Sequence, residues 1–143
     1  MTGLSLRNVS KSFGDALILD SVSLDMKARE FIAFLGPSGS GKSTLLRIIA
    51  GLETPDAGEV WLDGRRIDPL PPGDRDVAMV FQAYALYPHM TVRENMAFGL
   101  RNAGTPRDEI ERRIGAAAAV LEIEPHLDKK PGQMSGGQRQ RVA

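Results

Sequence analysis

Residues 31–44 read FIAFLGPSGSGKST, and residues 45–51 continue LLRIIAG. The opening run, 31–35, is apolar at every position and stops at a glycine. Such a run fits a strand buried on both faces, as in a sheet covered by helices. At the other end, Leu45, Leu46, Ile48 and Ile49 form an apolar stripe at helical spacing, with Gly51 as a C-terminal cap. Between them, residues 36–43 match G-x-x-x-x-G-K-[ST] in full. Glycines let the backbone curl so that successive N–H groups point inward at phosphate oxygens. A helix starting near Gly41 adds its N-terminal dipole to the same anion site. Lys42 supplies a point charge for the outer phosphates, and the Ser43 hydroxyl can ligate Mg²⁺. A glycine-rich turn with a chance lysine would explain the string alone, but not the strand before it and the helix after it.

Composition is permissive around this stretch. The chain has 143 residues, with 18 Lys plus Arg against 18 Asp plus Glu. That size fits one domain, and the zero net charge argues against nucleic acid as a partner. With no cysteine, disulfides, thiolate metal sites and cysteine nucleophiles are excluded. No apolar run approaches the roughly 18–20 residues that span a bilayer. The first residues, MTGLSLRNVSKSFGD, lack an apolar signal-peptide core, so a cytosolic chain is expected.

Strand patterns precede the loop. Leu4, Leu6 and Val9 suggest a short strand, and Val22, Leu24 and Met26 alternate with polar neighbours. After the loop helix, residues 60–62 form a short strand before an Asp63-Gly64 turn. Residues 68–75, DPLPPGDR, read as a loop without regular structure. Residues 77–81, VAMVF, are a second all-apolar run and a second candidate buried strand, ending at Gln82. The pattern then becomes helical. Thr91 and Glu94 have capping-box spacing, followed by Val92, Met96 and Leu100. Thr105, Pro106 and Asp108 start another helix with proline at its first position. Ile110, Ile114, Ala117 and Leu121 line one face, Asp108–Arg112 and Glu109–Arg113 are spaced for ion pairs, and Pro125 ends that helix.

Three further elements carry chemistry. Gln82 at a strand end can bind Mg²⁺ or position an attacking water, or be an ordinary surface amide. Ser135, in MSGGQ at 134–138, is a good N-cap; with Gly136, Gly137 and Gln138 it is a second anion site or a plain capped turn. Phe13, among Ser, Gly and Asp, can stack on an adenine base or belong to the core.

These pieces in this order resemble the nucleotide-binding subunits of ABC transporters. GPSGSGKST, comprising Gly36, Pro37, Ser38, Gly39, Ser40, Gly41, Lys42, Ser43 and Thr44, looks like the family's Walker A segment. Gln82 in VAMVFQ looks like its Q-loop glutamine, MSGGQRQ like its signature, and Phe13 falls where the family places an adenine-stacking aromatic. The resemblance covers nearly the whole chain, and the text after Gln82 looks most like importers of sugars and related solutes. It implies an α/β fold: a P-loop NTPase sheet core, RecA-like with an antiparallel β subdomain, carrying an inserted α-helical subdomain. On that pattern residues 1–86 are the nucleotide-binding core, 87–132 the helical subdomain, and 133–143 the signature and the start of its helix.

The implied activity is ATP hydrolysis coupled to solute import, with ATP and Mg²⁺ as cofactors. Lys42 and Gln82 would serve the reaction, with Ser43 and Gln82 on the metal. Partners would be a second nucleotide-binding subunit in a head-to-tail dimer and a transmembrane permease docked through residues 84–90, from Tyr84 to Met90. In that dimer Ser135, Gly136 and Gly137 of one subunit contact the γ-phosphate held by the other. The subunit would sit in the cytoplasm, peripheral on the inner face of the membrane. Rival readings are a soluble ABC-type ATPase without a membrane partner and a P-loop kinase.

The sequence also departs from the family pattern. Met134 stands for the usual signature leucine, a volume-conserving swap. Ser40 holds a place often taken by cysteine, and Arg29 a place often held by a turn glycine, where arginine is strained if φ is positive. The family's metal-binding aspartate, glutamate and switch histidine follow a strand beyond the signature, whereas five residues follow Gln138 here. Asp63, Asp74, Asp76, His89 and His126 are all misplaced for those roles. The chain therefore reads as an N-terminal fragment, hydrolytically incompetent by itself.

Overall fold

A computed structural model describes residues 3–143. The chain divides into two compact units, one ending at Met79 and the other running from Val80 to Ala143. Each is described separately.

The first unit is built on a four-stranded antiparallel sheet in the order β2-β1-β3-β4. Its strands are β1 (Leu4–Phe13), β2 (Ala16–Met26), β3 (Ala57–Leu62) and β4 (Arg65–Arg66). Leu4 lies opposite Met26 on one side and Leu62 on the other, and Leu6 lies between Leu24 and Val60. Leu6 and Val60 share a face by direct pairing, and Val9, an odd three residues from Leu6, reaches the same core through the β-bulge between them, where Asn8 sits at φ 49°. There they pack with Ile67 and with Leu45, Ile48 and Ile49 of helix α1 (Lys42–Ala50). Burying each of these aliphatic side chains is worth roughly 1.5–3 kcal/mol. The expected turn at Asp63-Gly64 is present, with φ of 48° and 80°, the left-handed pair that a two-residue hairpin prefers. Gly51 caps α1 at φ 83°, as its position predicts.

The two apolar runs behave differently from the expectation of buried strands. Among the described residues, neither 31–35 nor 77–81 takes regular secondary structure. Phe31 and Leu35 are each 91% exposed. A strand apolar on both faces is stable only with hydrogen-bonded neighbours on its edges and helices over its faces. No described strand supplies those edges. Within the run only Phe34 is half-buried, and with the exposed Ile32 it lines an open apolar groove beside Leu46, Ile49, Val77 and Met79. Residues 68–75 also differ in part, because Pro72–Asp74 forms one turn of 3-10 helix with proline at its start.

The second unit is helical, with α2 (Val92–Asn102), α3 (Arg107–Leu121) and α4 (Gly136–Val142). Short 3-10 turns at Glu124–His126 and Pro131–Gln133 join α3 to α4. The capping box opening α2 is complete: Thr91 Oγ1 accepts from Glu94 N–H at 3.2 Å, and Glu94 accepts from Thr91 N–H at 2.7 Å. The start of α3 shifts by one residue from expectation. Pro106 has ψ 145°, so it is the cap, and Arg107 is the first helical residue. The helix stops at Leu121, where Glu122 turns left-handed at φ 55°, well before Pro125. Its buried face is Ile110, Ile114 and Ala118, with Ala118 where Ala117 was expected. Glu109 pairs with both Arg112 at 2.7 Å and Arg113 at 2.6 Å.

Candidate functional site

In the first unit, the loop at 36–43 leads straight into α1. Gly39 and Gly41 sit at φ 81° and 90°, and Gly41 is the N-cap with no side-chain cap. A Cβ at Gly41 would lie 2.8 Å from the Leu19 side chain and 2.9 Å from the Ile18 carbonyl oxygen. Glycine is therefore required twice over there, by conformation and by the closeness of β2. With no capping side chain, the first N–H groups of α1 remain available to an outside acceptor. The Lys42 ammonium donates to Gly36 O and Pro37 O at 2.7 Å each and to Ser40 Oγ at 3.0 Å. Those bonds draw the lysine back over the loop, so its charge stands beside the backbone donors. Loop residues Pro37, Ser38 and Ser40 are exposed, Ser43 is exposed, and Thr44 is half-buried.

Phe13 lies beside this loop. It ends β1 opposite Ala16, 48% exposed. Together with Ser43, Thr44, Arg47 and Glu53 it lines a cleft of about 360 Å³. A ring, two hydroxyls and a helix N-terminus thus share one cleft, which can take a flat apolar group at one end and an anion at the other. Lys11 reaches under the ring, with its ammonium 5.1 Å from the centroid. Hydrogen bonding from Lys11 holds the Glu53 carboxyl below the usual range, and the same bond raises Lys11.

In the second unit, Gln82 is exposed in a turn. The chain after it is strained: Tyr84 and Ala85 have φ of 69° and 48°, sparsely populated for residues with a Cβ. Asn95 of α2 holds the rest of the segment. Its side chain accepts from Tyr87 N–H at 2.8 Å and donates to Tyr87 O, Met90 O and Thr91 O at 3.0–3.3 Å. Tyr87 and His89 stay exposed and meet edge to face.

The turn at 134–138 forms a second capping box. Ser135 Oγ accepts from Gln138 N–H at 3.2 Å, while Gln138 Oε1 accepts from Ser135 N–H at 2.9 Å. Because the exposed Ser135 hydroxyl accepts from the backbone, its own proton is free to donate outward. Met134 is buried with Val92, Ala118 and Ile123. Gly136 packs against Tyr84, whose hydroxyl would be 3.0 Å from an added Cβ, and the Arg139 guanidinium lies over the Tyr84 ring. Gln138 Nε2 and His126 Nε2 are 3.1 Å apart, which ties His126 to the start of α4.

Sequence reasoning passed over several residues that the structure singles out. Arg75 is 4% exposed, and its guanidinium donates to the Ile48 and Ile49 carbonyls at the end of α1. Lys11, Glu53 and Asn95 likewise act through tertiary partners that no local pattern reveals, and Tyr84, expected only as part of the docking segment, packs against Gly136. Arg29 does follow its expectation, at φ 65°. Among the described residues, no group of three or more His, Cys, Asp or Glu is arranged to hold a metal ion, so a cation here would need hydroxyl, amide or ligand oxygens.

Residues 19–143 match the family described as ABC transporter. The alpha-glucoside transport ATP-binding protein AglK of Rhizobium meliloti is 54% identical over the whole chain, which spans 40% of that relative. The sn-glycerol-3-phosphate import ATP-binding protein UgpC of the same organism is 58% identical over the whole chain and 41% of its own length. The lactose transport ATP-binding protein LacK of Rhizobium radiobacter is 54% identical over the whole chain and 39% of its own length. The chain therefore spans about 40% of the curated relatives it matches. A dimeric structure of MJ0796, a bacterial ABC transporter cassette, superposes with a TM-score of 0.87 at 36% identity, over 97% of this chain and 66% of that one. A second structure of that cassette, bound to ADP and Pi, superposes at 0.86. The mixed α/β architecture, the glycine loop with its helix and the capped serine turn are thus those of a known class: the chain belongs to the ABC transporter family, in its ATP-binding domain.

Proposed function

We propose that this chain is the nucleotide-binding part of a subunit that couples ATP binding and hydrolysis to solute import through a membrane permease. The single observation that carries this reading is the uncapped Gly41–Lys42 helix start sharing its cleft with the Phe13 ring, in a chain that also holds the capped Ser135 turn. The backbone at 36–44 cradles the phosphates of ATP, with Lys42 on the outer ones. Ser43, with Gln82, supplies oxygen ligands to Mg²⁺. Phe13 stacks on the base. Ser135, Gly136 and Gly137 of a second subunit, arranged head to tail, close over the γ-phosphate. Residues 84–90 face the permease, and the subunit lies peripheral on the inner face of the membrane. The names of the relatives point to a sugar or a glycerol phosphate as the solute.

The test is binding of a fluorescent ATP analogue to the purified chain. Lys42→Ala removes charge-assisted hydrogen bonds worth about 1.5–3 kcal/mol, so affinity should fall at least about tenfold. Unchanged affinity in that variant would sink the nucleotide reading. For the permease, a cross-linker carried by Tyr87→Cys in the membrane-bound assembly should capture an integral membrane subunit. Capture of soluble proteins alone would turn the reading to an ATPase that works away from the membrane.

A further inference from the structure

We propose that Lys11 is a positioning residue for the aromatic platform at Phe13, fixing the ring so that a purine base stacks on its open face; this rests on reading the loop at 36–44 as a nucleotide site. Lys11 and Phe13 are two residues apart on β1, so their side chains leave the same face of the strand. Phe13 is the last residue of that strand, half exposed, and has little packing of its own to choose a rotamer. The lysine supplies the missing constraint. Its ammonium lies 5.1 Å from the ring centroid, within the range of a cation–π contact.

The ammonium is itself held fast. Its bonds run to Thr54 O at 2.9 Å, Glu53 at 3.0 Å and Asp56 at 3.4 Å. An ammonium has three donors, and these partners use all three. Two carboxylates compensate the Lys11 charge, whereas the three oxygens that Lys42 touches are all uncharged, so Lys11 is a poor phosphate ligand and a good anchor. Asp56 also accepts from Ser12 N–H at 2.7 Å, fixing the backbone between the two side chains. The turn after α1 that carries Glu53 and Asp56 therefore sets the ring's place relative to the Ser43 and Thr44 hydroxyls in the same cleft. With one ring face occupied by Lys11, the base takes the other.

The experiment measures affinities of the purified chain for ATP and for inorganic tripolyphosphate, which has phosphates and no base. Lys11→Met should weaken ATP about twofold to fivefold, the size of a cation–π contact, and leave tripolyphosphate unchanged. In a Phe13→Ala background the same substitution should have no further effect on ATP, and Lys11→Arg should restore most of the loss. Glu53→Gln, which keeps the ammonium but loosens it, should weaken ATP in the same direction and serves if Lys11→Met melts early. Equal weakening of ATP and tripolyphosphate, or full additivity with Phe13→Ala, would overturn the proposal while leaving the nucleotide reading standing. Failure of the unaltered chain to bind either ligand would overturn both readings together.

Discussion

Replacing Arg75 by methionine isolates a buried cation that ties a proline-rich loop to the end of the phosphate-loop helix. The guanidinium donates to Leu70 O at 2.7 Å, Ile48 O at 2.8 Å, Asp68 O at 2.8 Å and Ile49 O at 3.3 Å. Hydrogen bonds from a charged donor are worth about 1.5–3 kcal/mol each. The four share one cation, however, and its burial carries a desolvation cost that offsets much of the sum. That cost shows as a guanidinium pKa pulled down by burial. The helix end adds about 0.3–2 kcal/mol, since a cation complements the C-terminal dipole. Methionine keeps the packed stem and removes the cost, but leaves carbonyls of Ile49, Asp68 and Leu70 without that donor, at about 1 kcal/mol or more each. The net expectation is a loss of about 3 kcal/mol. Lysine should do nearly as badly, because one ammonium cannot reproduce the planar fork that reaches four carbonyls. Urea unfolding followed by circular dichroism reads the result. A midpoint for Arg75→Met within about 0.5 kcal/mol of the parent, or full rescue by lysine, would refute the argument that this fork holds loop and helix together.

Three further outcomes are expected. Thr91→Ala breaks one half of the α2 capping box and should cost about 1 kcal/mol in urea unfolding; Thr91→Ser should cost far less. Arg29→Gly relieves a left-handed residue at φ 65°, and should raise stability by about 0.5–1 kcal/mol once the greater freedom of unfolded glycine is deducted. Glu109 has its carboxyl pulled from 4.5 to about 2 by hydrogen bonds from Arg112 and then Arg113. Its folded pKa is depressed, so its contribution is present above pH 4.5 and fades as pH falls toward 2. Glu109→Gln should accordingly flatten the stability–pH curve in that window, and an NMR titration of the parent should place the Glu109 midpoint well below 4.5.

Local patterns carried much of this molecule. The strands at Leu4 and Val22, the Asp63-Gly64 turn, the Thr91 and Ser135 caps, and Gly51 all declare themselves within a few residues, since turn and cap energetics depend on neighbours in sequence. Misplaced boundaries have equally local causes. Pro106 satisfies either a cap or a first helical position, and ψ alone decides; Glu122 ended α3 by entering the left-handed region, which few non-glycine residues announce. The glycines at 39 and 41 were legible because the motif places them where the backbone takes positive φ. The reason Gly41 tolerates no side chain, the closeness of Leu19 and Ile18 on β2, was not.

The sequence by itself determined the local patterns, a glycine loop with Lys42 and Ser43, a capped serine turn and an aromatic at 13, and the family to which the chain belongs. Tertiary structure decided which side chains brace those segments. Arg75, Lys11 and Asn95 look like ordinary surface residues until long-range folding brings carbonyls or carboxylates against them. It also decided the fate of 31–35. Apolarity specifies that this run seeks burial on both faces, but burial requires partners on both edges, and hydrogen-bonded partners are a property of the assembled sheet.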